Sequence, residues 1–190
     1  SFTISSVASL VTATYPNVHN VKDYGCEFSP KISKTLPMVL KERGYETAFI
    51  SDQVILPLIK GFEKGFSTFN TISAISYGSP GKRKRVLEVT DWAINWLKNN
   101  KHNSFFLWLY CLSPHGPYIP SSPYDKMFIR DKYYNINKSV PVSEDPYSQS
   151  TFGTIPKYLT VHGVNDVDYY ISQYDGEIRR VDAQINRLLS

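Results

Sequence analysis

Ser104-Phe-Phe-Leu-Trp-Leu-Tyr-Cys-Leu-Ser-Pro-His-Gly-Pro-Tyr118 is the stretch whose reading decides the fold. Seven of the eight residues 105–112 are aromatic or aliphatic, and the eighth is Cys111. A short apolar run rich in aromatics reads as a strand buried on both faces, the habit of parallel sheets. It stops at Ser113-Pro114, and the next residue is His115. In open α/β sheets, ligands sit outside the carboxyl ends of the strands. An imidazole delivered there, between Pro114 and Pro117, is a candidate for chemistry.

Working outward, residues 83–99 repeat Val86, Val89, Ala93 and Trp96 as a helical stripe ahead of that strand. Further upstream, residues 35–43 read as a helix capped by Thr35, with Pro37 in its first turn and Gly44 at its end. Leu36, Val39 and Leu40 share a face of it. Residues 47–51, Thr-Ala-Phe-Ile-Ser, follow as a strand. Helix, strand, helix, strand in that order implies a parallel crossover in a layered α/β domain. Residues 6–13 form a shorter helix candidate, with Ser5 or Ser6 as its cap. At the other end Val167, Ile171, Tyr174, Ile178, Val181, Ile185 and Leu188 step by 4, 3, 4, 3, 4 and 3. That stripe predicts a long helix packing its apolar face against the rest. Asp175 and Asp182 lie at the stripe's edge. Residues 119–165, rich in Tyr, Pro and Ser without a period, read either as a flap over a site or as a surface excursion.

The 190 residues suit one domain able to bury about 70% of its unfolded surface. Hydrophobic content of 42% against 20% charged residues fits a globular protein, and 14 Tyr with 10 Phe predict packing rich in rings. A net charge of +4 could attract anionic substrates but is too small to argue for nucleic acid. Lys82-Arg-Lys-Arg85 has no interleaved aromatic platform and reads as a solvated helix start. No apolar run reaches the roughly 20 residues of a membrane span. The chain begins at Ser1-Phe2-Thr3 without Met and reads as part of a longer one. Cys26 and Cys111 lack metal-ligand spacing, and Cys111 reads as a thiol buried in the core strand.

Two residues are candidates for catalysis. Thr3 lies just ahead of the first helix, where unpaired N–H groups and the helix dipole favour anions such as phosphate or sulfate. Its hydroxyl could act as a nucleophile if a metal or base lowers its pKa, or it could be an ordinary cap. His115 is the other, by its strand-end position. His19 and His162 have loop contexts and read as structural, and His102 falls in a solvated turn. No phosphate loop, dinucleotide fingerprint, zinc motif or nucleophile elbow is present.

Thr3-Ile-Ser-Ser-Val-Ala-Ser-Leu-Val-Thr-Ala-Thr-Tyr-Pro16 resembles the nucleophile segment of the sulfatase family, in the alkaline phosphatase superfamily. Thr35-Leu-Pro-Met-Val-Leu-Lys-Glu-Arg-Gly-Tyr-Glu-Thr-Ala48 is similar to the family's next helix and strand, and Gly61-Phe-Glu-Lys-Gly-Phe66 to its Gly-Phe turn. Residues 105–118 are similar to its strand ending in Pro-His-x-Pro-Tyr. Tyr174-Asp-Gly-Glu-Ile-Arg-Arg-Val-Asp-Ala-Gln-Ile-Asn-Arg-Leu-Leu189 is similar to the helix before its second metal segment. The resemblance implies a three-layer α/β/α sandwich with a mostly parallel sheet, alkaline-phosphatase-like and incomplete, as one catalytic-domain fragment over residues 1–190. It also implies a hydrolase of sulfate esters working at a divalent metal (calcium, magnesium, manganese or zinc) in the intact protein.

The departures from the family are as informative. The metal segments are expected before Ser1 and after Ser190, which places most metal ligands outside these residues. Thr3, at the nucleophile position, cannot become formylglycine. Val7 replaces an expected Arg, and Ser51-Asp52-Gln53-Val54 stands where many sulfatases read Gly-Lys-Trp-His. A Thr-nucleophile phosphodiesterase or phospho-group transferase, and an inactive sulfatase-like binding protein, are the alternatives. The implied substrate is a small-molecule or glycan sulfate or phosphate ester, with no nucleic acid and no membrane segment. Exposed sheet edges raise the prospect of self-association.

Overall fold

Thr47 to Ser51 run without interruption through small, β-branched and aromatic side chains, and all five are buried. They belong to β1, Glu46–Ser51, the middle strand of a three-stranded parallel sheet in the order β2-β1-β3. The structure is a computed structural model that describes residues 2–52, 55–71, 82–129, 139–143, 153–160 and 164–190, and the side chains of 82–85 are not among those described. β2, Thr68–Thr71, pairs Ala48 with Thr68 and Ser51 with Thr71. β3, Phe105–Tyr110, pairs Glu46 with Phe105 and Ser51 with Tyr110.

The aromatic run therefore forms a strand, but not the doubly buried one. β3 stops two residues short of Leu112, is paired on one side among the described residues, and leaves Phe105 exposed and the rest half-buried. Cys111 lies beyond the strand and is half-buried, and neither it nor Cys26 forms a disulfide. Central position decides burial more strongly than ring content does. The four residues of β2, Thr-Phe-Asn-Thr, carry too little pattern to have been read as a strand.

The chain divides into two compact units, residues 1–75 with 87–111 and residues 76–86 with 112–190. In the first, α1 (Thr3–Thr12) buries Ile4, Val7, Ala8 and Val11, one face at helical spacing. They join Val21, Phe49, Leu56, Ile59, Phe62 and Phe66 in one core. Each large side chain so buried contributes about 1.5–3 kcal/mol as an upper bound. Phe49 is its hub, with ring centroids of Phe69, Phe62, Phe66 and Trp108 at 5.0, 5.3, 5.6 and 6.1 Å.

α1 starts three residues earlier than expected. Its N-cap is Phe2, without a side-chain capping bond, so neither Ser5 nor Ser6 caps it. Ser5 Oγ instead donates to Val21 O at 2.9 Å, and Ser6 Oγ to Phe2 O at 3.0 Å. After α2 (Pro16–His19), α3 (Leu36–Glu42) begins behind Thr35 and ends before Gly44, whose φ of +83° suits a left-handed stop. The expected face of Leu36 and Val39 is exposed, whereas Pro37 is buried. Gly65 explains the seating of α3: a Cβ there would lie 2.4 Å from Met38 N, so the Gly61–Gly65 turn packs against the helix backbone. α4 (Lys82–Asn100) buries Val86, Val89 and Ala93 as expected, and Trp96 Nε1 donates to Thr68 Oγ1 at 3.1 Å.

In the second unit α5 (Tyr124–Met127) packs on α6 (Val167–Leu189). Asp166 Oδ1 caps α6 by accepting from Asp168 N at 2.9 Å. The expected burial of the α6 stripe is not seen: Val167, Val181 and Leu188 are half-buried and none of the seven is buried. Ile171, Tyr174, Ile178 and Ile185 are exposed, and the buried face carries Ser172, Gln173, Gly176, Glu177, Arg180 and Gln184. Periodicity locates an apolar face correctly but does not say which face meets the fold. Of the excursion 119–165, the described parts include a bridge between Val142 and Ile155. Residues 130–138, 144–152 and 161–163, and with them His162, lie outside the described residues. No helix among those described is long and apolar enough to cross a membrane.

Candidate functional site

Thr3 is the first residue of α1 rather than a residue ahead of it, and it is half-buried. The first intrahelical bond runs from Ser6 N to Phe2 O at 3.0 Å. The N–H groups of the first turn are therefore without helical acceptors around the Thr3 backbone, which favours a nearby anion. The capping alternative fails on geometry, since Phe2 occupies the cap. Val7 points into the apolar core, so the position of the expected Arg has become a packing residue.

His19 is structural. It is wholly buried, and Val21 N–H donates to its Nδ1 at 3.0 Å. That bond fixes the hydrogen on Nε2, which lies 3.0 Å from Ser9 Oγ. Burial lowers its pKa, because a charged ring would be desolvated. His102 lies exposed in the turn ahead of β3, as expected.

At the carboxyl end of β1, Ser51 and Asp52 are both buried, and residues 53–54 lie outside the described residues. Asp52 is a buried carboxylate at a strand end, a placement that marks ligand sites in parallel sheets. Sequence reasoning treated it only as a departure from a motif. Its position directly after a run of buried strand residues was the usable signal.

His115 is exposed in the second unit, in a turn closed by His115 N donating to Leu112 O at 2.8 Å. Its Nδ1 lies 2.9 Å from Gly116 O. A carbonyl only accepts, so Nδ1 carries the hydrogen of the neutral ring and Nε2 carries the lone pair. The peptide bonds preceding Pro114 and Pro117 are both cis. Tyr118 stacks edge-on to Tyr174, with centroids 5.2 Å apart. Burial first, then Tyr174 and Tyr158, raise the Tyr118 pKa, which keeps the phenol neutral. Two charged residues of α6 that the sequence reading passed over, Glu177 and Arg180, are buried beside this segment. Opposite charges at i and i+3 directly after a mid-helix glycine were the available sign.

Among the described residues no group of three or more His, Cys, Asp or Glu side chains is arranged to hold a metal ion. A complete ligand set for the divalent metal that the resemblance implies is therefore not found among the described residues.

A parallel sheet with helices defines an α/β fold. The family model for Sulfatase matches residues 1–190, and the chain belongs to that family. Among solved structures it is similar to BT4656 in complex with its substrate D-glucosamine-2-N,6-O-disulfate, at 16% identity and a TM-score of 0.63, covering 99% of this chain and 52% of that one. It is also similar to the phosphonate monoester hydrolase of Agrobacterium radiobacter, at 15% identity and a TM-score of 0.70, covering 98% and 49%. The lipoteichoic acid synthase LtaP from Listeria monocytogenes follows at 18% identity and a TM-score of 0.50, covering 98% and 40%. At these identities the likeness is one of fold. The chain spans about half the length of the structures it matches. No curated protein matches the sequence.

Proposed function

We propose that the intact protein is a sulfatase-like hydrolase of sulfate esters carried on small molecules or glycans. The observation that carries this is the match of the Sulfatase family along all 190 residues. Solved structures of the same fold support the reading, including one bound to a disulfated glucosamine. Thr3, at a helix terminus suited to an anionic group, supplies the nucleophilic oxygen: its hydroxyl proton passes to a base of the intact protein, and its O–S bond forms as the bond from sulfur to the alcohol oxygen breaks. His115, with its hydrogen fixed on Nδ1, serves the leaving oxygen through Nε2, donating when the ring is protonated.

A second reading has its own support. Thr3 cannot mature to formylglycine, and phosphonate monoester hydrolases share the fold. In that reading the same two residues act on a phosphodiester or phosphonate ester.

The experiment compares the full-length protein with Thr3→Ala and His115→Ala on 4-nitrophenyl sulfate, bis(4-nitrophenyl) phosphate and a phenyl phosphonate ester. Sulfate-ester turnover that falls at least about 100-fold in both variants is the expected result. Turnover confined to the phosphorus esters moves the assignment to the second reading. Full activity of Thr3→Ala on every ester removes Thr3 as nucleophile.

A further inference from the structure

α6 buries its polar face, and the reason lies in what that face holds. Arg180 Nη2 donates to Glu177 Oε2 at 2.7 Å and to Ser113 Oγ at 2.8 Å. Glu177 Oε1 accepts from Ile119 N–H at 3.2 Å. One member of a buried ion pair thus grips residue 113 and the other grips residue 119. Between those two anchors runs the segment that exposes His115. The neighbouring turns of α6 engage the chain just beyond. A Cβ on Gly176 would lie 2.6 Å from Tyr124 O and 2.9 Å from Pro120 Cγ, and Gln173 Nε2 donates to Asp125 O at 2.9 Å.

Packing alone does not account for this pair. Glu177 is fully buried and Arg180 is 2% exposed. Taking both charges out of water is costly, and apolar residues of similar volume seat a helix at least as stably. What charged, hydrogen-bonding groups supply is direction: each bond fixes a chosen atom of the facing segment. We propose that Glu177 and Arg180 are positioning residues, a clamp that holds both ends of the 113–119 segment and thereby fixes where His115 presents Nε2. The proposal rests on the reading of His115 as the group that meets the substrate ester.

The test uses the full-length protein and two variants. Glu177→Leu with Arg180→Met removes both charges together, and Ser113→Ala removes only the outer anchor hydroxyl. Amide hydrogen exchange over residues 115–119, the thermal midpoint, and kcat and KM on the aryl ester the parent turns over are measured for each. Expected are exchange about 10-fold faster in that segment, and kcat lower by about 10- to 100-fold with KM within about 3-fold. Ser113→Ala should move both quantities in the same direction by a smaller factor, with its thermal midpoint kept. A structural role alone predicts parental exchange and kcat in whichever variant remains folded, and that result overturns the clamp. His115→Ala separates the two claims. If it abolishes turnover while the clamp variants behave as the parent does, only the clamp fails. If it retains turnover while exchange still rises in the clamp variants, the catalytic reading fails and the clamp stands as an organiser of the segment.

Discussion

Replacing Phe49 with Ala should cost more than removing any ring of the aromatic run in β3. Phe49 has no exposed surface and meets four rings, those of Phe62, Phe66, Phe69 and Trp108. Truncating a buried Phe to Ala costs about 3–5 kcal/mol through lost transfer energy and the cavity left behind. The upper part of that range applies, because each ring pair lost adds about 0.5–1.5 kcal/mol beyond area. Collapse into the hole is limited as well. Phe62 and Phe66 are fixed by the Gly61–Gly65 turn, which already contacts the α3 backbone. With a urea m-value of about 2–3 kcal/mol/M, the midpoint should fall by about 1.3–2.5 M with m unchanged. Trp108 belongs to the same cluster, so its fluorescence reports the transition directly. Phe105→Ala is the control, since Phe105 is exposed and should cost less than about 1 kcal/mol. Equal losses at the two positions, or a loss below about 1.5 kcal/mol at Phe49, would refute the placement of the core on β1.

Two smaller experiments address residues whose roles the geometry settles. His19 has its pKa lowered by burial, so the unfolded chain binds the proton more readily. The stabilisation from its neutral ring is complete above the ordinary value of 6.5 and is lost as pH falls from there through the folded-state pKa. Stability followed from pH 7.5 to 5 should drop more steeply in the parent than in His19→Asn, and parallel profiles would count against this. Thr35 Oγ1 is buried without a hydrogen-bond partner, although Thr35 occupies the N-cap of α3. Thr35→Val should therefore be neutral or stabilising by up to about 1 kcal/mol, whereas a capping hydroxyl would cost about 1 kcal/mol on removal. The denaturation midpoint distinguishes the two.

The parts of the fold that were legible share a property: their signal is local and their neighbours confirm it. Thr-Ala-Phe-Ile-Ser reads as a strand, Gly44 as a stop, and Val86, Val89 and Ala93 as the buried face of α4, and the structure agrees on all three. The order of weak motifs carried the family, which no one of them could. What misled was a property of the whole fold inferred from a segment. The rings of 105–112 suggested a strand buried on both faces, but burial follows the number of paired neighbours, and β1 has strands on both sides.

α6 makes the same point at the candidate site. Its seven apolar residues form a correct helical face, and four of them are exposed: Ile171, Tyr174, Ile178 and Ile185. The buried face is the one whose side chains have specific atoms to hold. Ser113 Oγ and Ile119 N–H need polar partners when the segment between them is fixed, and a hydrocarbon face has none to give. A buried Glu and Arg on a helix are therefore intelligible only with their targets in view. Those targets lie 58 and 67 residues away in sequence, beyond the reach of any periodicity. His115 could be found from its strand and its prolines, whereas the residues that aim it could be found only from the fold.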